Sequence, residues 1–146
     1  MRKIMLIGEW HSGKSSLIRM LSGKDYRSRK VFALDFFEGF VNTPSEFLEN
    51  RRFYPSLITA SADCGILLFL QAADRKSSQL PPMFASMFNR SVFGVVTRLD
   101  CPNADAGLAR LFLQNAGVRR IFEVNAASGA GIGALREALA QECDAF

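Results

Sequence analysis

The chain has 146 residues, 49% of them hydrophobic and 22% charged, which is the size and composition of one ordinary globular domain over residues 1–146. No apolar run approaches the roughly 20 residues of a membrane span, and the first apolar run is too short for a signal peptide, so we expect a cytoplasmic protein without a membrane partner. The net charge of +4 suits an anionic small ligand, and no interleaving of basic with aromatic residues indicates nucleic acid.

Short apolar runs alternate with segments of helical periodicity, which is typical of a mainly parallel sheet covered by helices. The first strand is predicted over Lys3–Ile7, and the first helix over Lys14–Leu21, with Gly23 as its C-cap. Two further strands, over Val31–Phe36 and Gly39–Val41, can form a hairpin.

The second half of the chain continues the alternation. Residues 45 to about 62 are predicted to be mostly helical, and Pro55 should kink or split that helix. The later predicted elements are a strand over Gly65–Gln71, a short helix opened by Pro81 and Pro82, a strand over Ser91–Thr97, a helix over Ala104–Gly117 with Leu108, Leu111 and Phe112 facing inward, a strand over Arg120–Val124 and a closing helix from Gly131 to about Cys143. The pattern predicts a three-layer α/β/α domain with a mostly parallel sheet of five or six strands.

The segment between the first strand and the first helix has the spacing G-x-x-x-x-G-K-[S/T] of a phosphate-binding loop. Its glycines let the backbone turn several N–H groups toward phosphate oxygens, and the helix adds its positive end. Lys14 is expected to reach the β- and γ-phosphates, and the Ser15 hydroxyl to bind Mg²⁺. The predicted nucleoside triphosphate site consists of Gly8, Ser12, Gly13, Lys14, Ser15 and Ser16.

A second group of residues points to the base. The run T-R-L-D at residues 97–100 follows a buried strand and resembles the [N/T]-K-x-D motif of small GTPases. Asp100 can accept hydrogen bonds from the ring N–H and the exocyclic amine of guanine, a donor pair that adenine lacks; the alternative is an aspartate that only forms the turn before Pro102. Arg98 can cover the base face with its stem and planar head. The predicted base site consists of Thr97, Arg98, Asp100, Asn125, Ala126 and Ala127, the last three resembling the loop that backs guanine with a backbone N–H.

Three longer runs carry a resemblance to one family. They are M-R-K-I-M-L-I-G at residues 1–8, N-T-P-S-E-F-L-E-N-R-R-F-Y at 42–54 and P-P-M-F-A-S-M-F-N at 81–89. Together they resemble the EutP/PduV family, small P-loop proteins encoded with bacterial microcompartments for ethanolamine or propanediol use. The resemblance implies a Ras-like GTPase fold and an accessory role in that metabolism. It also implies two further properties seen in parts of the family, since some members are described as probable acetate kinases and the propanediol branch is linked to compartment positioning.

The sequence departs from the family where the metal and the γ-phosphate would bind. The family's D-T-P-G-E reads N-T-P-S-E here, so Asn42 replaces the aspartate that holds the Mg²⁺ shell through water. Ser45, which we also expect to contact the nucleotide, replaces the glycine whose N–H turns toward the γ-phosphate; it keeps the N–H but has less conformational freedom. Glu46 follows Ser45; its carboxylate can orient water but would repel the γ-phosphate. Val31 stands where the family has a threonine that contacts the metal. We therefore expect binding to persist and hydrolysis to be slow or absent.

Three functions remain open at this point. The first is a GTP- or GDP-binding accessory protein that contacts microcompartment shell or enzyme proteins, with Lys14 and Glu46 as candidate catalytic residues. The second is an acetate kinase that uses ATP, with Arg51 and Arg52 as candidate carboxylate contacts. The third is an interaction module that binds no nucleotide.

Overall fold

The computed structural model describes residues 3–28 and 33–143. Within this part of the chain, one sheet of six strands has helices on both faces, as the alternating pattern predicts. The strands are β1 (Lys3–Gly8), β2 (Asp35–Phe37), β3 (Phe40–Asn42), β4 (Cys64–Ala72), β5 (Ser91–Thr97) and β6 (Arg120–Glu123). The α-helices are α1 (Lys14–Ser22), α2 (Ser45–Glu49), α3 (Tyr54–Ser61), α4 (Ala106–Asn115) and α5 (Ile132–Cys143), with 3₁₀ turns at Arg51–Phe53 and Phe84–Met87.

The sheet has the strand order β2-β3-β1-β4-β5-β6. All neighbouring pairs are parallel except β2 and β3, which form the predicted hairpin. Successive side chains of a strand point to opposite faces, so Ile4 and Leu6 pack into one core cluster with α1 and α5, while Met5 and Ile7 pack into a second cluster with α3 and α4. None of the described helices is long and apolar enough to cross a bilayer.

The predicted helix boundaries are confirmed where a single residue dictates the backbone. Gly23 adopts φ +70° as the C-cap of α1, and its N–H donates to the Arg19 carbonyl. Pro55 lies in the first turn of α3, and the helical stretch of residues 45–62 is divided into α2, a 3₁₀ turn and α3. The break falls at Asn50, whose backbone is extended (φ −125°, ψ 114°), and Pro55 follows in the first turn of α3, where its missing N–H costs no helical hydrogen bond.

Three predictions about elements need correction. In α4 the fully buried residues are Ala109 and Leu113; of the three predicted to face inward, Leu108 and Phe112 are half-buried and Leu111 is 49% exposed. Leu113 packs closely over β5, since a Cβ on Gly94 would stand 3.0 Å from the leucine Cδ1. The first hairpin strand begins only at Asp35, and residues 31 and 32 lie outside the described part. The segment after Pro82 is a 3₁₀ turn, not an α-helix.

Candidate functional site

The predicted site residues meet at the carboxyl ends of the parallel strands, where open α/β sheets bind ligands. A phosphate-loop cavity of about 420 Å³ is lined by residues 10–16, which include Lys14 and Ser15, by Asn42 at the end of β3 and by Ser45 at the start of α2. A smaller base cavity of about 150 Å³ lies beside it. The two cavities share Gly13, Ser16 and Arg98 in their lining, so they adjoin, and we refer to the pair as the cleft. The larger cavity of about 480 Å³ lies at the other end of the strands, near Lys3 and Cys64, and contains no phosphate-loop residue.

The phosphate loop depends on its two glycines. A Cβ at Gly8 would overlap Ser12 Oγ and lie 3.1 Å from Leu70 Cβ, so a larger residue would displace the loop from β4. Gly13 has φ +94° and begins α1, a conformation that residues with a Cβ rarely adopt. The spacing of these two glycines therefore reflects steric requirements that the structure makes explicit.

The Lys14 side chain turns back over its own loop. Its Nζ donates to the carbonyl oxygens of Gly8 (2.8 Å) and Glu9 (3.0 Å), and lies 3.5 Å from Ser12 Oγ. Burial lowers the pKa of this ammonium to about 8, against the opposing charges of Glu49 and Glu9. The cation is thus held at the phosphate cavity in a desolvated position, where an anion would stabilise its charged form.

Two further residues of the loop, Glu9 and Trp10, were not among the predicted nucleotide contacts. Glu9 is buried, and its carboxylate pairs with Arg75 (2.7 Å) and accepts the Gln79 N–H (3.0 Å), which fixes the loop to the segment after β4. Trp10 is 66% exposed, and its ring lies 3.7 Å from that of His11, centroid to centroid. The pairing partners of Glu9 lie 66 and 70 residues away, so no local pattern could have indicated them.

Thr97 joins the base motif to the phosphate loop. Its buried hydroxyl donates to the Ser12 carbonyl at 2.5 Å, across 85 residues of sequence. The residue was predicted as a nucleotide contact, and the structure shows it bonded to the loop backbone while it also lines the base cavity. The hydrogen bond from Thr97 holds the end of β5 against the phosphate loop, and we call this contact the Thr97 brace.

Substituting Thr97 by valine should therefore weaken binding without touching the ligand directly. The change leaves the Ser12 carbonyl without its donor, so we expect a loss of about 1–2 kcal/mol in the free energy of unfolding and an approximately tenfold weaker GTP affinity. Chemical denaturation and calorimetry measure the two quantities. Thr59→Val, at an exposed position of α3, is the matched control; equal affinities of Thr97→Val and the wild type would contradict the role of a brace.

The base cavity combines an apolar floor with polar residues from the T-R-L-D run. Leu17, Met20 and Val124 line it together with Asp100, which is exposed at its rim. Arg98 has φ +57°, and its Nε donates to Asp74 Oδ2 at 3.2 Å. This ion pair holds the arginine at the junction of the two cavities, where a planar group can cover a base.

The loop after β6 closes the base cavity from the side. Asn125 Oδ1 accepts the N–H groups of Ala127 (2.9 Å) and Ser128 (3.3 Å), so the asparagine side chain shapes its own turn. Ala126 lines the cavity. Of the two alanines predicted to back a base, Ala127 already has a partner for its N–H in this arrangement.

The metal side of the cleft carries oxygen ligands but no carboxylate. Ser15, Asn42 and Ser45 line the phosphate-loop cavity, and none of its lining residues within the described ranges is acidic. Asn42 is 7% exposed, its Nδ2 donates to the Tyr26 hydroxyl (3.1 Å), and its Oδ1 is buried without a hydrogen-bond partner. A hydroxyl and a free amide oxygen are ligand types compatible with hydrated Mg²⁺. Val31 lies outside the described residues.

Six predicted contributors line neither cavity: Gly8, Asn125 and Ala127 of the predicted nucleotide site, and Glu46, Arg51 and Arg52. Glu46 lies in the first turn of α2, and the described residues that line the two cavities include its neighbour Ser45 but not Glu46 itself. Arg51 and Arg52 are exposed on the 3₁₀ turn and likewise line neither cavity. Of the two candidate catalytic residues, Lys14 therefore lines the phosphate-loop cavity and Glu46 does not.

Comparison with known proteins agrees with this geometry. The family model described as PduV-EutP, ethanolamine utilisation - propanediol utilisation, matches residues 1–141. The propanediol utilization protein PduV of Citrobacter freundii is 32% identical over 90% of this chain and 89% of its own length. The probable acetate kinase EutP of Salmonella typhimurium is 34% identical over 86% of this chain and 80% of its own length.

Solved structures show the same fold at low sequence identity. The bacterial selenocysteine-specific elongation factor EF-Sec superposes with a TM-score of 0.67 at 20% identity, over 99% of this chain and 29% of its own. The cytosolic domain of the T. maritima FeoB iron transporter, in its GMPPNP form, gives a TM-score of 0.65 at 15% identity, over 97% of this chain and 63% of its own. The predicted P-loop GTPase-like α/β fold is therefore confirmed.

Proposed function

The chain belongs to the PduV–EutP family of ethanolamine and propanediol utilisation proteins, and we propose that it binds a guanine nucleotide and hydrolyses GTP slowly or not at all. The observation that carries this proposal is the cleft, in which the phosphate-loop cavity with Lys14 and the base cavity with Asp100 adjoin at Gly13, Ser16 and Arg98. A nucleotide has the same two parts, a triphosphate and a base, joined by a ribose. In our proposal the protein acts as an accessory factor that contacts microcompartment components in the cytoplasm.

The preference for guanine rests on the rim of the base cavity. Asp100 is an acceptor-only group there, and guanine offers it a ring N–H and an exocyclic amine side by side. The FeoB domain that shares the fold was solved with GMPPNP, a guanine nucleotide analogue. Adenine would leave the carboxylate facing a ring nitrogen acceptor, so ATP should bind more weakly.

Magnesium fits the proposal as a hydrated ion shared with the nucleotide. The Ser15 hydroxyl would hold it directly and Asn42 through water, and both residues line the phosphate-loop cavity. When bound, the ion would neutralise charge on the β- and γ-phosphates. With no carboxylate on this side of the cavity, the protein contributes less charge to the metal than an aspartate at position 42 would.

Slow hydrolysis follows from positioning. Phosphoryl transfer depends on groups that neutralise charge and orient water, and neither Glu46 nor an acidic residue lines the phosphate-loop cavity within the described ranges. Intrinsic rates of small GTPases are on the order of 10⁻⁴ to 10⁻² s⁻¹. We expect single-turnover phosphate release from GTP with Mg²⁺ to fall below that range, at less than about 10⁻⁴ s⁻¹. A rate within the range would contradict the proposal.

An acyl kinase is the second candidate, because relatives at 34% identity are named probable acetate kinases. An assay that traps acetyl phosphate with hydroxylamine, in the presence of ATP, Mg²⁺ and acetate, separates the two functions. The guanine-binding proposal predicts no acetate-dependent product. Arg51 and Arg52, which lie outside both cavities, offer no support for an acetate site; acetate-dependent product would favour the kinase.

A further inference from the structure

We infer that Tyr26 and Asp35 hold the Asn42 amide with its oxygen free to accept a hydrogen bond from the metal shell at the phosphate-loop cavity, and thereby replace part of what the missing aspartate would do. The inference rests on the proposed nucleotide function and names the residues that position its metal shell. Neither Tyr26 nor Asp35 belongs to the phosphate-loop or base motifs. Tyr26 follows α1 in the chain, and Asp35 lies on β2, opposite Asn42 of β3.

The hydrogen-bond chain fixes which way the amide points. A tyrosine hydroxyl has one hydrogen, and that of Tyr26 is donated to Asp35 Oδ2 at 2.7 Å. The Tyr26 oxygen can therefore only accept from Asn42, which must present its Nδ2, at 3.1 Å. The Asn42 oxygen consequently lies on the branch that faces away from Tyr26.

That oxygen is the feature that points to a ligand. Asn42 is more than nine-tenths buried, and its Oδ1 has no partner although the residue lines the phosphate-loop cavity with Ser15 and Ser45. A buried acceptor without a donor costs free energy in the unliganded protein. The group that would satisfy it is an O–H donor, which a water molecule bound to Mg²⁺ supplies.

The chain also brings negative charge near this position. Asp35 is buried at 3% exposure, and its carboxylate reaches Asn42 through the single hydroxyl of Tyr26. Hydrogen bonds in series polarise one another, so a carboxylate at one end increases electron density on the amide oxygen at the other. The hydrogen-bond chain thus links the Asn42 amide to an acidic side chain on the neighbouring strand.

The test measures how strongly Mg²⁺ tightens the binding of fluorescent mant-GDP, as the ratio of the Kd in EDTA to the Kd in Mg²⁺. In Tyr26→Phe the amide loses its anchor, and we expect this ratio to fall about fivefold, the effect of one hydrogen bond, while the Kd in EDTA stays unchanged. Asp35→Asn keeps the shape and removes the charge, and should lower the ratio about two- to threefold. Tyr54→Phe is the matched control, because the Tyr54 hydroxyl donates to the Leu48 carbonyl (3.3 Å) and Tyr54 does not line the cleft.

The outcomes separate the inference from the function on which it rests. If Tyr26→Phe does not fold, Asp35→Asn still reports the ratio. The inference would be overturned if the ratio of the two Kd values were unchanged in the folded variants, or if the mant-GDP affinity of the wild type did not depend on Mg²⁺. Neither result would contradict guanine nucleotide binding. A wild-type protein that binds mant-GDP neither with Mg²⁺ nor in EDTA would overturn the proposed function itself, and the inference with it. A parallel loss of affinity in EDTA and in Mg²⁺ would mark Tyr26 as purely structural and would also overturn it.

Discussion

Lys14→Met should weaken GTP binding between about 100- and 1,000-fold, because it removes one partner of a desolvated charge pair, at a cost of roughly 3–4 kcal/mol. The ammonium is held over the phosphate loop by the carbonyls of Gly8 and Glu9, and the phosphates would become its counter-charge. Burial disfavours the charged form of Lys14 and lowers its pKa. Replacing the lysine by methionine should therefore leave the melting temperature of the unliganded protein equal or higher at neutral pH. Calorimetry and thermal denaturation measure both effects.

The same lysine gives this prediction a pH signature. In the unliganded protein the Lys14 pKa lies near 8, and phosphate favours the charged form, so binding takes up a proton above that pH. GTP affinity should be level below pH 8 and then fall, by about tenfold between pH 7 and pH 9. Lys14→Arg, which stays protonated over this range, should bind with no such decline. A wild-type profile that is flat to pH 9, or a Lys14→Met variant that binds like the wild type, would contradict this role of Lys14.

Asp100→Asn should exchange specificity from guanine to xanthine nucleotides. An amide cannot accept two hydrogen bonds from guanine as the carboxylate does, so GTP affinity should fall about 100-fold, or roughly 2.7 kcal/mol. Xanthine carries an oxygen in place of the exocyclic amine, and the amide N–H₂ can donate to it. Xanthosine triphosphate should therefore bind the variant more tightly than GTP does.

Competition against mant-GDP, with GTP and xanthosine triphosphate in parallel, measures this exchange. Asp105→Asn is the matched control, since Asp105 caps α4 by accepting the Leu108 N–H and asparagine caps equally well. Its preference for GTP should equal that of the wild type. If Asp100→Asn keeps the wild-type preference, Asp100 only forms the turn before Pro102, and another group must select the base.

The elements that could be predicted from the sequence are those that depend on local patterns. The strand before the phosphate loop, the loop itself and the C-cap at Gly23 all follow from spacing, apolar periodicity and the freedom of glycine. Strand β5 has the predicted bounds because its apolar run is short and bounded by polar residues. The departure of residues 42–46 from the family pattern was also visible, because it consists of residue identities alone.

The features that escaped prediction join residues distant in sequence. Three of them depend on the tertiary arrangement: the hydrogen bond from Thr97 to Ser12, the ion pair of Glu9 with Arg75, and the packing of Leu113 over Gly94. A periodic pattern gives the apolar face of a helix but not the neighbour that selects among its residues. In the same way, residue identity alone indicates only a loss of charge at Asn42. The hydrogen-bond chain from Asn42 through Tyr26 to Asp35 depends on the tertiary structure.

Calorimetry with GTP, GDP and ATP, each in the presence of Mg²⁺, tests guanine nucleotide binding most directly. GTP and GDP should bind, and ATP should bind at least about 100-fold more weakly, because it lacks the donor pair that Asp100 accepts. If none of the three nucleotides gives a heat of binding at either of two temperatures, the protein is an interaction module that binds no nucleotide. ATP binding as tight as that of GTP would also contradict the assignment of the base cavity to guanine.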